Sequence, residues 1–167
     1  MISLAEWRDF YVMIGTASGV IVGATFIVAT LASGMGEKRL TGIRGFITPT
    51  AVHLSSVLVG SAILAVPALP PLVLAVLLGA GGVGGAIYGV VIVTRIRSLK
   101  LDAADWSFYA VLPVLAYLGM TAAAVMVGTQ FSLALDILAA VFIALLVIGM
   151  RNAWDMATFM ITRDRSD

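Results

Sequence analysis

The chain has no cysteine, which excludes disulfides, thiolate metal ligands and thiol chemistry and leaves the redox compartment open. Charge is nearly as scarce, with ten Lys or Arg, nine Asp or Glu and a single His among 167 residues. A net charge of +1 provides no basic face large enough to release many counterions from a phosphate backbone, so nucleic acid is not an expected partner. The period-two alternation of a half-buried strand is missing as well. No soluble-domain linker, low-complexity tract or lipidation motif is evident.

What the chain does have is apolar surface, with 61% of its residues hydrophobic. So little charge cannot cover a water-facing exterior, and the sequence reads as an integral membrane protein whose first partner is the lipid bilayer. Five runs, 10–32, 47–66, 71–93, 106–127 and 131–150, each approach the twenty or so residues that a bilayer requires. Lipid leaves backbone groups no outside partner, so each run is expected to be a helix. The expected fold class is therefore all-α, an integral membrane bundle of five transmembrane helices. It forms one domain over 1–167, with a short cytoplasmic tail at 151–167.

Glu6 and Asp9 precede the first run with only Arg8 for positive charge, which is not the pattern of a cleaved secretion signal. Ser3 and Glu6 have capping-box spacing, predicting a short interfacial N-terminal helix with Trp7 at headgroup depth. Thr48 and Pro49 have the order of a cap and first turn, so the second helix is expected to start there. Pro113 interrupts the fourth run and predicts a bend.

Orientation follows from the charges. Lys38, Arg39 and Arg44 lie in the first loop, Arg95, Arg97 and Lys100 in the third, and Arg151, Arg163 and Arg165 in the tail. Arg8 alone lies on the other side. The positive-inside rule then predicts an outside N-terminus and a cytoplasmic C-terminus, in a bacterial inner (plasma) membrane. Five spans do not divide into the matched halves of an inverted-repeat transporter.

Two glycine ridges have four-residue spacing, Gly15, Gly19 and Gly23 in the first run and Gly81, Gly85 and Gly89 in the third. Such ridges let two backbones approach closely in lipid, where hydrophobic burial adds little to helix association. The two spans would run parallel with a stagger of about 7 Å, so the ridges are expected to pack on each other near mid-membrane. Gly82 and Gly84 widen the small-residue surface of the third span, leaving a face for an oligomer contact.

Titratable groups inside the spans are few, and burying them is costly, so His53 and Asp136 are the candidate functional residues. Thr50, His53, Ser56 and Gly60 follow at helical spacing and form one polar strip. The strip is either the lining of a pathway or a helix contact around a neutral, hydrogen-bonded imidazole. Asp136 stands about one turn inside the outer end of the fifth run, where Arg8 or the short outer helix is its expected partner, water hydrates it, or it forms an outer vestibule that attracts cations.

One histidine cannot supply paired haem ligands, no histidine–carboxylate cluster offers a metal site, and no nucleophile–base pairing is spaced for catalysis. Neither an enzyme nor a cofactor is expected. Two functions fit what remains. The first is a homo-oligomeric channel or passive carrier for an ion or small solute, with Thr50, His53, Ser56, Gly60 and Asp136 along its path. The alternative is a structural or regulatory subunit that binds a second membrane protein.

Overall fold

A computed structural model of the protein describes residues 4–32, 37–97 and 102–163, and describes side-chain surroundings for 4–30, 47–97 and 102–158. Ser3 of the expected capping box lies outside the described residues. The fold is all-helical among those residues: α1 Leu4–Ala32, α2 Glu37–Ala65, α3 Pro71–Ile96, α4 Ala103–Gly128 and α5 Ala134–Arg163. All five contain stretches long and apolar enough to cross a membrane, which is the architecture the apolar runs demand.

The helices extend beyond the apolar runs in both directions. Residues 4–9 do not form a separate N-terminal helix; they are the first turns of α1. Trp7, Phe10 and Tyr11 stack there, with ring centroids 5.2–6.1 Å apart, so aromatic packing carries the helix outward without a break. The second helix does not start at Thr48. It begins at Glu37, and Pro49 lies well inside it. The tail is helical to Arg163.

Turns use the residues that end helices. Pro70 and Pro71 begin α3, Pro70 with φ −58° and ψ 138°, the extended conformation that suits a residue preceding a proline. Ala68 and Gln130 carry the two positive φ values among the described non-glycine residues, one in each turn at that end of the bundle.

Consecutive helices pack as antiparallel hairpins, α1 on α2 and α3 on α4, and α5 lies against α1, α2 and α4. This arrangement separates the two glycine ridges. A Cβ on Gly15 would lie 2.8 Å from Ser61 Cβ, and one on Gly19 would lie 3.7 Å from Leu58, both on α2. Gly23 meets nothing within 4 Å. On α3, the side chains facing Gly81, Gly85 and Gly89 are Met120, Tyr117 and Val114, all on α4. The expected packing of α1 on α3 through their ridges is not found. Short connections favour neighbours in sequence, and each ridge serves its own hairpin. Gly82, where a Cβ would stand 2.8 Å from the Thr121 backbone nitrogen, marks the closer approach of α3 to α4.

The apolar core centres on α5. Leu135, Leu138, Phe142 and Leu145 are fully buried among Tyr11, Val57, Leu64 and Tyr117. Phe142 fills the space left by Gly60, and Leu54 fills that left by Gly149, so α2 and α5 interlock large against small as close-packed interiors require.

Candidate functional site

Three polar side chains meet in the middle of this core. His53 and Ser56 are one turn apart on α2, and Tyr117 reaches them from α4. His53 is 2% exposed and Tyr117 is fully buried. The Tyr117 ring can lie here because Gly85 presents no side chain; a Cβ at that position would overlap the ring. A tyrosine in an apolar span carries a hydroxyl that must find a partner, and α2 supplies two.

The hydrogen bonds assign a direction to the group. Ser56 Oγ donates to the Val52 carbonyl at 2.8 Å, which commits its only proton. Its oxygen therefore accepts from the Tyr117 hydroxyl, 3.0 Å away. Tyr117 in turn has only an acceptor left for His53 Nδ1, also at 3.0 Å. The imidazole is thus the Nδ1–H tautomer, an assignment that follows from the donor inventory. The chain His53 to Tyr117 to Ser56 to Val52 is complete in one direction, and it joins α2 to α4.

The remaining strip residues are also turned inward. Thr50 is 2% exposed, and Gly60 faces the Phe142 ring, 2.5 Å from where its Cβ would stand. Within one protomer the face through Thr50, His53, Ser56 and Gly60 is a seam between helices. Asp136 lies elsewhere, exposed in the first turn of α5. No ion pair joins it to Arg8 among the described residues. Its neighbour Leu135 instead supplies the carbonyl that accepts the Tyr11 hydroxyl at 2.8 Å, fastening α1 to α5.

A second polar group, at the opposite end of the bundle, has no counterpart in the sequence reading. Residues Ser107–Val111 of α4 form a π-helical turn, with Leu112 N–H donating to the Ser107 carbonyl. The next bond of that series would run from residue 113 to the Phe108 carbonyl, but Pro113 has no N–H. Asn152 of α5, fully buried, donates from Nδ2 to that carbonyl at 3.5 Å. Arg151 lies with its guanidinium carbon 4.0 Å above the Phe108 ring. It also reaches Asp105 at 3.6 Å and Asp155 at 3.7 Å. The expected bend at Pro113 takes this form because widening the turn spares the proline ring a clash, while α5 satisfies the freed carbonyl. A proline with polar residues in a facing helix was the signal available; their pairing was not.

Comparison of the chain with family models, curated proteins and solved structures found no match.

Proposed function

We propose that the protein is a non-catalytic integral membrane subunit, structural or regulatory, that presents its outward helix faces to a second membrane protein. The observation that carries this reading is the inward seam of α2. His53, an ionisable group that is costly to place in lipid, is 2% exposed and spends its Nδ1–H on Tyr117. Phe142 is seated against Gly60 and Tyr117 bonds both His53 and Ser56, so these strip residues hold α2 to α4 and α5. The N-terminus lies outside and the C-terminus in the cytoplasm of a bacterial inner membrane, an orientation supported by the positive charges of Arg95, Arg97 and Arg151 at one end of the bundle.

A second reading, the homo-oligomeric channel or passive carrier, draws on Asp136 and Gly84. Asp136 is exposed, and Gly84 meets nothing within 4 Å on the outward side of α3, so a path could run between protomers. Purification in mild detergent followed by reconstitution in liposomes separates the two. A protomer that co-purifies with one other membrane protein and conducts nothing supports the subunit. Ion or solute flux from the purified oligomer that falls with Asp136→Asn overturns it in favour of the channel.

A further inference from the structure

Three buried polar atoms where α5 meets the π-helical turn of α4 have no hydrogen-bond partner among the described residues. They are Arg151 Nη1, Asn152 Oδ1 and Asp155 Oδ2. Asp155 Oδ2 does lie 3.7 Å from Arg151 Nη2, an ion-pair distance that is too long for a hydrogen bond. Folded interiors rarely leave such atoms unsatisfied, because each forgoes the bonds that water would give it. The three residues fall within about 6 Å of helix rise on α5. Arg151 and Asn152 both meet α4, at Asp105, at the Phe108 ring and at the Phe108 carbonyl.

The direction of the Asn152 amide follows from its neighbour. The Phe108 carbonyl can only accept, so the amide atom 3.5 Å from it is Nδ2, and Oδ1 is the end left over. Asn152 is fully buried, so bulk solvent does not reach that oxygen. The Arg151 and Asp155 side chains, by contrast, are 29% and 37% exposed. They connect the buried amide to the surface of the bundle.

The inventory of orphan atoms selects the ligand. Nη1 only donates, whereas an amide oxygen and a carboxylate oxygen only accept. The complementary molecule accepts once and donates twice, which is the capacity of water, and three bonds are typical of a buried water. A cation would meet the Arg151 guanidinium, and an anion would meet the carboxylates of Asp105 and Asp155. Among the described residues no group of three or more His, Cys, Asp or Glu could hold a metal.

We infer that one ordered water molecule is bound between α4 and α5, accepting from Arg151 Nη1 and donating to Asn152 Oδ1 and Asp155 Oδ2. The contacts of α5 with Phe108 then rest on residues that this water ties together, which makes the turn at Ser107–Val111 a hydrated joint. The site is independent of the subunit reading above, since a channel could hold the same water.

The test is a structure of the full chain in lipid nanodiscs at a resolution that shows ordered water. Density is expected roughly 2.7–3.2 Å from all three atoms. Radiolytic hydroxyl-radical labelling provides a second readout, because bound water forms radicals where it sits. Tyr109, whose hydroxyl is 3.4 Å from the Asn152 carbonyl, should be labelled despite its burial. Asn152→Leu, which replaces the acceptor with an apolar group, should remove the density and lower Tyr109 labelling several-fold. Labelling of Tyr11, at the other end of the bundle, should not change. Asp155→Leu, at a partly exposed position, serves in its place if the first variant does not fold. Direct hydrogen bonds among the three side chains with no density between them overturn the proposal. So does a cation coordinated there, or Tyr109 labelling that is unchanged in a folded variant.

Discussion

The hydroxyl of Tyr117 lies 3.0 Å from Nδ1 of His53, midway through the bundle and out of reach of solvent. That contact unites the one histidine of the chain with an aromatic residue 64 positions away, and the interior of the protein is arranged to permit it.

Tyr117→Phe keeps the ring and removes the hydroxyl. It leaves His53 Nδ1–H without an acceptor and takes away the donor to Ser56, at a cost of about 1–2 kcal/mol. Unfolding of the purified protein in mixed detergent measures it. A variant as stable as the parent would show that the buried group contributes nothing to the fold.

Gly85→Ala should cost about 1–3 kcal/mol, because the new methyl overlaps the Tyr117 ring and either α3 or the ring has to shift. Gly84→Ala is the control. Its Cβ meets nothing within 4 Å, so the change is neutral or stabilising through helix propensity, by up to about 1 kcal/mol. Equal effects at both positions would contradict the packing of α3 on α4 described above.

Asn152 and Pro113 should be coupled. Asn152→Ala leaves the Phe108 carbonyl unsatisfied and is expected to destabilise by about 1 kcal/mol, the bond being long. With Pro113→Ala the backbone N–H returns and α4 can bond to itself, so the same Asn152→Ala change should cost less. A double-mutant cycle reads this as an interaction energy of about 0.5 kcal/mol or more. Strict additivity would mean that Asn152 does not serve the proline turn.

Asp136→Asn is expected to change stability by less than about 0.5 kcal/mol, since the side chain is exposed and makes no ion pair among the described residues. Thermal unfolding in detergent checks this. A larger loss would reveal a structural partner for the carboxylate.

Much of the candidate site was readable in advance, though not its use. The strip Thr50, His53, Ser56 and Gly60 shares one face because helical spacing places it so, and the structure keeps it together. Helical spacing cannot say what that face meets. Tyr117 and Phe142 arrive from α4 and α5, and no local signal in α2 points to either. The start of α2 shows the opposite limit. Thr48 and Pro49 have the order of a helix start, yet the helix continues through them from Glu37, because a proline inside a helix removes one backbone bond and does not force an end.

Composition alone pointed to lipid as the solvent and, with it, to helices. A chain so poor in charge has little to cover a water-facing surface, and its five apolar runs are found as helices long enough to cross a membrane. The choice of neighbours was made only in three dimensions. Both glycine ridges were plain in the sequence, and they suggested each other as partners. In the fold α1 packs on α2 and α3 on α4, so Gly15 faces Ser61 and Gly85 faces Tyr117. A bare helix face specifies that something must come close. Which side chain comes is decided by the connections and by the shapes that fill the remaining space.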